Sequence, residues 1–417
     1  MQKLYGIAIK IFVIITIIII LIGSGISGSF SSESIDKLAY VVALALDVGS
    51  NNNLKVTIQL ANPNNSSSEA SSSSSQSTAS TLASVECSSI ESGINLLNSY
   101  ISRAIDLSHC KAIIISEELA VTDLSIYIYE LCDNVQVSPH ANVTITKCTA
   151  SNYLKMSSPV LETFSARYYQ IAPNSSKYTG YTTSVPLIDF LNSLLDTCSQ
   201  PVATLGNVNI SSSHSYDASS NQLNKDSTYV AGETPITTDN HVETMGVAVF
   251  RWGKLVGELD GLENICHMII SGKLNSCNVQ IEDPEGNSEN INVSIQLKNN
   301  PKRTVKLVNE TPFIKIDVNL SVRMLAITPG KDYIKSETTE KLEEKINVYF
   351  KELISSYLYK TSKEFNSDID GFGKQAIKYF LTKQEWDNYD WLNRYKDSFF
   401  EVNVSSKIRS GYSFLSI

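Results

Sequence analysis

None of the cysteines in this chain forms a C-x-x-C pair, which excludes the common zinc-ribbon and thioredoxin-type motifs. The seven that occur, Cys87, Cys110, Cys132, Cys148, Cys198, Cys266 and Cys277, are scattered and odd in number. They are expected to be mostly free, partly buried thiols, with at most one or two long-range disulfides. Histidine is scarce: His109, His140, His214, His241 and His267 are the full set, each isolated from acids at ligand spacing. A glycine loop for phosphate and a nucleophile elbow are both missing. So is any excess of positive charge. Lys and Arg number 34 against 43 Asp and Glu, a net charge of -9, and the cations are not gathered in a patch, so nucleic acid is not an expected partner.

What is present begins with an apolar N-terminus. Ile11 to Ile22 carries no charge and follows Lys3 and Lys10. As a helix this core is about 18 Å long, short of the ~30 Å hydrocarbon of a bilayer; extended to Ile26 it just spans. Residues 1–29 are therefore a signal peptide or, alternatively, a single uncleaved anchor, and either places the rest of the chain across the membrane. Residues 17–30, IIIILIGSGISGSF, break into small residues where a secreted chain is cut or lipid-tagged, but they hold no cysteine to take a lipid.

The remainder alternates strand and helix patterns. LAYVVALALD (38–47) reads as a buried strand, and Val56, Ile58 and Leu60 alternate as a half-buried one. The serine-rich stretch 64–84 is too polar to pack and is expected to be a loop. Ile90, Ile94, Leu97, Ile101 and Ile105 fall at helical spacing. KAIIIS (111–116) and NVTITK (142–147) are strands flanking a helix at 124–132, and Pro186 opens a further helix that Pro201 ends. GVAVFRWGKLVGEL (246–259) predicts a hairpin turning at Trp252 and Gly253. Ile314, Ile316, Val318, Leu320 and Val322 make an alternating strand, and the longest helix is expected from Glu337 to Phe365, lying across the preceding sheet. FEVNVSSKI (400–408) supplies a last strand. The expected class is α+β, in an extended arrangement of three domains built from mixed and antiparallel sheets carrying helices: 30–195, 196–276 and 277–417, the last holding the long helix.

Chemistry is harder to find. His109-Cys110 and Cys266-His267 are conceivable halves of a metal site or Cys/His dyad, but adjacent residues rarely aim at one metal, and no base is in evidence for a nucleophile. Asp368 and Asp370 in SDIDGFG offer too few oxygens for calcium. They read instead as a helix-ending turn in which Asp caps backbone groups and Gly371 and Gly373 take angles that other residues avoid. Trp386, Trp391, Phe399 and Phe400 read as core aromatics beneath the last helix. No catalytic, cofactor-binding or metal residue is assigned.

The segments ESIDKLAYVVALALD, VTIQLANP, LSHCKAIIISEELA, AVFRWGKLVGELDG, EKLEEKI, SDIDGFG and FEVNVSSKIRSG, in that order and spacing, resemble the Ger(x)C family, the C subunits of nutrient-germinant receptors. The resemblance implies a non-enzymatic, membrane-associated subunit without cofactor. Its place is the outer face of the spore inner membrane, beside A-type and B-type membrane subunits, with direct contact to the small-molecule germinant left open. Counted back from Ile35, Phe30 falls where the family has Trp, and Ser29 falls on its lipid-bearing cysteine; Ser24 is a second position with worse spacing. A serine oxygen does not replace the thiolate that lipidation requires, so the expectation is an anchor at Ile11 to Ile26 or retention through partners. A secreted ligand-binding module and an extracytoplasmic hydrolase with a site assembled in three dimensions are the alternative readings.

Overall fold

The computed structural model describes residues 12, 14–17, 37–61, 80–159, 161–162, 164–209, 227–283, 290–326 and 336–409. Ser24, Ser29 and most of the serine-rich stretch lie outside them. Residues 14–17 are helical, with the Thr16 hydroxyl donating to the Phe12 carbonyl at 2.6 Å. Among the described residues no helix is long and apolar enough to cross a membrane.

The first sheet contains β1 (Leu38–Val48), β2 (Leu54–Ala61), β3 (Ser80–Cys87), β4 (Ala104–Asp106), β5 (Ala112–Ser116), β6 (Asn142–Thr146), β7 (Val202–Val208), β8 (Val242–Arg251) and β9 (Lys254–Leu259). Its order is β3-β2-β1-β5-β6-β7-β8-β9, with β4 off that path. The neighbours β1, β5, β6 and β7 run parallel; the outer pairs are antiparallel. Parallel strands are covered on both faces, which is why LAYVVALALD and AIIIS are nearly unbroken apolar runs. Leu44, Leu46, Ile113 and Ile115 point into one core with α1 (Ile90–Tyr100), α2 (Ser125–Asp133) and a later helix; Ala43, Ala45, Ala112 and Ile114 point into the other with α3 (Ala150–Met156). Asp47, buried at the end of β1, accepts from the Ala150 and Ser151 amides at 2.6 and 2.9 Å, placing a carboxylate at the positive end of α3.

Two boundaries differ from those expected. Residues 80–84 of the serine-rich stretch are strand: Leu82, Ala83 and Ser84 pair with Gln59, Ile58 and Thr57, and the Ser84 and Thr57 hydroxyls meet at 2.8 Å. Helix α1 stops at Tyr100, because Ile101 is extended and the Asn98 side chain takes the Ile105 amide at 2.9 Å, placing Ile105 in β4. The predicted hairpin turns at Trp252 and Gly253, whose φ angles of 53° and 80° suit a tight primed turn. Segment 196–276, read from sequence as a middle domain, adds β7, β8 and β9 to the first sheet. It follows α4 (Leu187–Leu195) directly and ends in α5 (Gly261–Ile270).

α5 is buried along nearly its whole length, its polar Asn264 and His267 included. It lies in a core shared by Val247, Val249 and Leu259 of the first sheet with the second sheet. That sheet holds β10 (Cys277–Glu282), β11 (Asn290–Leu297), β12 (Lys302–Val308), β13 (Thr311–Ala326) and β14 (Phe399–Ile408). The long β13 takes β12 and β11 along one edge and a parallel β14 along the other. Across this sheet lies α6 (Ser336–Tyr359), burying Leu342, Ile346, Phe350, Ile354 and Tyr357. It continues into a π turn at Lys360–Glu364, ahead of SDIDGFG. The fold class is thus α+β, with mixed sheets, packed helices and the long helix in the C-terminal part.

Candidate functional site

Residues 367–373, SDIDGFG, form a buried junction reached from both sheets. The Ser367 hydroxyl donates to the Phe250 carbonyl of β8 at 2.6 Å, and the Gln200 amide donates to the Asp368 carbonyl at 2.8 Å. Arg303 of β12 donates through Nη1 to the Asp370 carbonyl at 2.7 Å. The last two bonds satisfy carbonyls of a buried segment that is in neither helix nor sheet.

The two carboxylates have different settings. Asp368 accepts from the Phe372 and Gly373 amides at 3.1 and 2.9 Å and from Trp391 Nε1 at 2.8 Å. Burial pushes its carboxyl up to about 7, against the pull of those three donors. Asp370 accepts from the Tyr357 hydroxyl at 2.8 Å and faces His267 Nδ1 at 2.9 Å. Burial, then the Asp370 charge, holds the Tyr357 phenol well above its usual range. Because the carboxylate faces Nδ1, that nitrogen is the N–H donor, and Nε2 has no protein partner among the described residues. His267 is supplied by α5, whose start is set by a reciprocal cap: Asp260 takes the Glu263 amide and Glu263 the Asp260 amide.

The glycines serve different needs. Gly371 has φ +69°, a left-handed angle. Gly373, expected at such an angle, instead opens a short helix at 373–376; a Cβ there would stand 2.5 Å from the Cys198 carbonyl oxygen and 2.7 Å from Trp391 Nε1. Its constraint is space.

Beside this junction opens a cleft of about 230 Å³, walled by Thr183, Ser184 and Asp189 from the first half and by His267, Lys273 and Arg303 from the second. A larger, more apolar cavity of about 420 Å³ lies elsewhere, between Leu161, Tyr168, Ile171 and Ile236.

Other candidates do not converge. His109 packs its ring against Tyr40 at 4.4 Å, while Cys110 is buried with its thiol donating to the Ala112 carbonyl at 3.4 Å; burial pushes that thiol up to about 12. Asp106, Ser108 and His109 do cluster, but Ser108 stands between Asp106 and His109, whereas a triad needs the imidazole between acid and hydroxyl. Cys266, next to His267, is fully buried and held far above the usual thiol range by burial. Among the described residues no group of three His, Cys, Asp or Glu is placed to hold a metal. All seven cysteines are free. Trp386 and Trp391 are buried, but Phe399 is exposed and stacks at 5.2 Å on Phe313, which is exposed too, since odd positions of β14 face away from α6.

The pairing of His267 with Asp370 and Tyr357 was not read from the sequence. Its available signal was Asp260-Gly261-Leu262-Glu263, a capping box ahead of an apolar run, which marks a helix and shows which residues share its length.

Two family models match in tandem: "Spore germination protein N-terminal domain" over residues 31–208, and "Spore germination B3/GerAC like, C-terminal" over residues 245–411. The crystal structure of the GerBC protein is similar at 14% identity and a TM-score of 0.48, covering 90% of this chain and 99% of that one. No curated protein matches. With both of its modules matched in order across the described sheets, the chain belongs to the Ger(x)C family of spore germination proteins.

Proposed function

We propose that this chain is the C-type subunit of a nutrient-germinant receptor, a non-enzymatic interaction protein on the outer face of the spore inner membrane. It works there beside A-type and B-type membrane subunits. The observation that carries the reading is the tandem match, with the N-terminal module over 31–208 and the C-terminal module over 245–411. The chemistry agrees: Asp368 and Asp370 are turned inward and engaged by backbone amides, Trp391, Tyr357 and His267, as groups that hold a junction together. The attachment we infer is the apolar Ile11 to Ile26 segment, or the partners, with Ser29 (less favourably Ser24) standing where a lipid-bearing cysteine is expected.

Deleting the gene is expected to slow or abolish the response of spores to a nutrient germinant and leave sporulation intact. An unchanged response in a strain with no redundant receptor sinks the proposal. Co-purification of the tagged chain with its membrane partners from spores tests the assembly directly. The mass of the native N-terminus tests attachment: a lipid-modified terminus overturns the unacylated reading, and a start near residue 28 or 30 overturns the anchor.

A further inference from the structure

The cleft beside the SDIDGFG junction has a polar floor that the fold does not use up. His267 is one of its walls and its side chain is 5% exposed, yet only Nδ1 is engaged, by Asp370 and the Tyr357 hydroxyl. Nε2 is thus an unpartnered nitrogen on a side chain about nineteen-twentieths buried, with its orientation fixed from behind by Asp370. A fixed imidazole edge with no protein partner calls for one from outside.

The charges around it decide the sign of that partner. Arg303 gives Nη1 to the Asp370 carbonyl, and the rest of its guanidinium fork has no protein partner among the described residues. Lys273, exposed at the rim, has none either. Lys374 is held by Asp196 at 3.3 Å. Of the two acids that line the cleft, Asp370 already accepts from Tyr357 and faces His267, which leaves Asp189, exposed on the first turn of α4. Uncommitted charge is therefore two cations to one acid; Thr183, Ser184 and Ser193 also line the cleft, the Ser184 hydroxyl already donating to Asn142 Oδ1 at 2.7 Å. At about 230 Å³ the space is below the ~300–1,000 Å³ of drug-sized ligands, so the occupant is small.

We propose that this cleft binds a small oxyanion-bearing ligand, a carboxylate or a phosphate, with Arg303 and Lys273 on the anion and His267 Nε2, the acceptor nitrogen of this tautomer, taking a hydrogen bond from a donor group elsewhere on the ligand. The guanidinium fork matches either oxyanion, and charge-assisted bonds of this kind are the stronger class. An amino or hydroxyl group next to the acid would meet Asp189. The ligand touches walls from both sheets, so its binding would tighten the junction.

The test is titration of the full-length chain in detergent with acetate, glycine, inorganic phosphate and methylammonium, at fixed ionic strength, followed by calorimetry and by the His267 ring ¹⁵N resonances. Saturable binding of acetate or glycine assigns a carboxylate, with the shift at Nε2 expected for glycine, whose ammonium can donate to it; binding of phosphate alone assigns a phosphate. In either case Lys273→Gln and Arg303→Gln are each expected to weaken binding by about tenfold or more. Arg303→Gln also removes a junction bond, so Lys273→Gln, whose side chain touches no partner, keeps the test clean if the former fails to fold. No saturable oxyanion binding, a preference for methylammonium, or an affinity unmoved by Lys273→Gln overturns the proposal.

Discussion

His267 and Asp370 are 103 residues apart in sequence, and their Nδ1 and Oδ1 atoms lie 2.9 Å apart in the buried junction. Asp370 also serves the Tyr357 hydroxyl, so one carboxylate satisfies donors from two different helices. Asp370→Ala leaves both donors without an acceptor, each a buried loss of about 1–3 kcal/mol. Urea denaturation of the variant is expected to show a drop of about 3 kcal/mol or more. Adding His267→Leu to it should cost less than the sum of the two single changes, since contacting groups couple by about 0.5–3 kcal/mol. Strict additivity would show that the two side chains do not act together.

The two glycines of the motif separate conformational strain from steric exclusion. At Gly371 the φ of +69° is unfavourable for a side chain, but the nearest heavy atom to an added Cβ is 3.5 Å away, so Gly371→Ala is expected to cost about 1–2 kcal/mol. At Gly373 the same Cβ would enter the backbone of Cys198, so Gly373→Ala should be the more damaging, because backbone on both sides must move. Melting temperatures of the two variants in the reverse order would contradict this assignment.

Much of the architecture was legible because local periodicity and burial agree in it. The alternation of Ile314 to Val322 is a strand with one face under α6, and LAYVVALALD is unbroken because its strand is covered on both faces. Phe399 misled because an aromatic on an alternating strand belongs to whichever face its parity selects, and its parity is outward. Segment 80–84 misled because serine content outweighed the pairing of Leu82 to Ser84 with β2. The junction was hidden for a different reason. His267, Arg303, Tyr357 and Asp370 sit on a helix, a strand, a second helix and a turn, and their meeting is set by how the second sheet packs on α5. Nothing in local spacing encodes that.

Asp368 gives the junction a direction of pH dependence. Its carboxyl is pushed up to about 7 in the folded chain, against an ordinary value near ~3.9 when unfolded. A raised carboxyl favours the folded state while protonated, so this contribution is full below about pH 4 and is lost as pH rises towards about 7. Asp260, pushed up to about 6 by burial and then by Glu263, acts in the same direction. Melting temperature is therefore expected to fall between about pH 4 and pH 7 through these groups, and Asp368→Asn should flatten part of the slope while lowering stability through its mismatch with three N–H donors. An identical slope in the variant would remove Asp368 as the source.

The exposed edge of the second sheet is closed by a helix. β14 pairs with β13 on one side only, and on its other side the Ser406 amide donates to Asn347 Oδ1 at 2.7 Å and the Ile408 amide to Glu343 Oε1 at 2.9 Å. Glu343 further binds Lys407 Nζ at 2.8 Å, and its carbonyl accepts from the Ser406 hydroxyl at 3.1 Å. Side chains of α6 thus take the place of a neighbouring strand, which an open edge would otherwise recruit from another molecule. Glu343→Ala and Asn347→Ala are each expected to cost about 1 kcal/mol. Hydrogen exchange at the Ser406 and Ile408 amides should accelerate well beyond that at the β13-paired amides of the same strand. The double variant should also self-associate as concentration rises, because two adjacent edge donors become available together. If exchange at those two amides stays slow, α6 shields the edge by packing alone and its polar side chains are incidental.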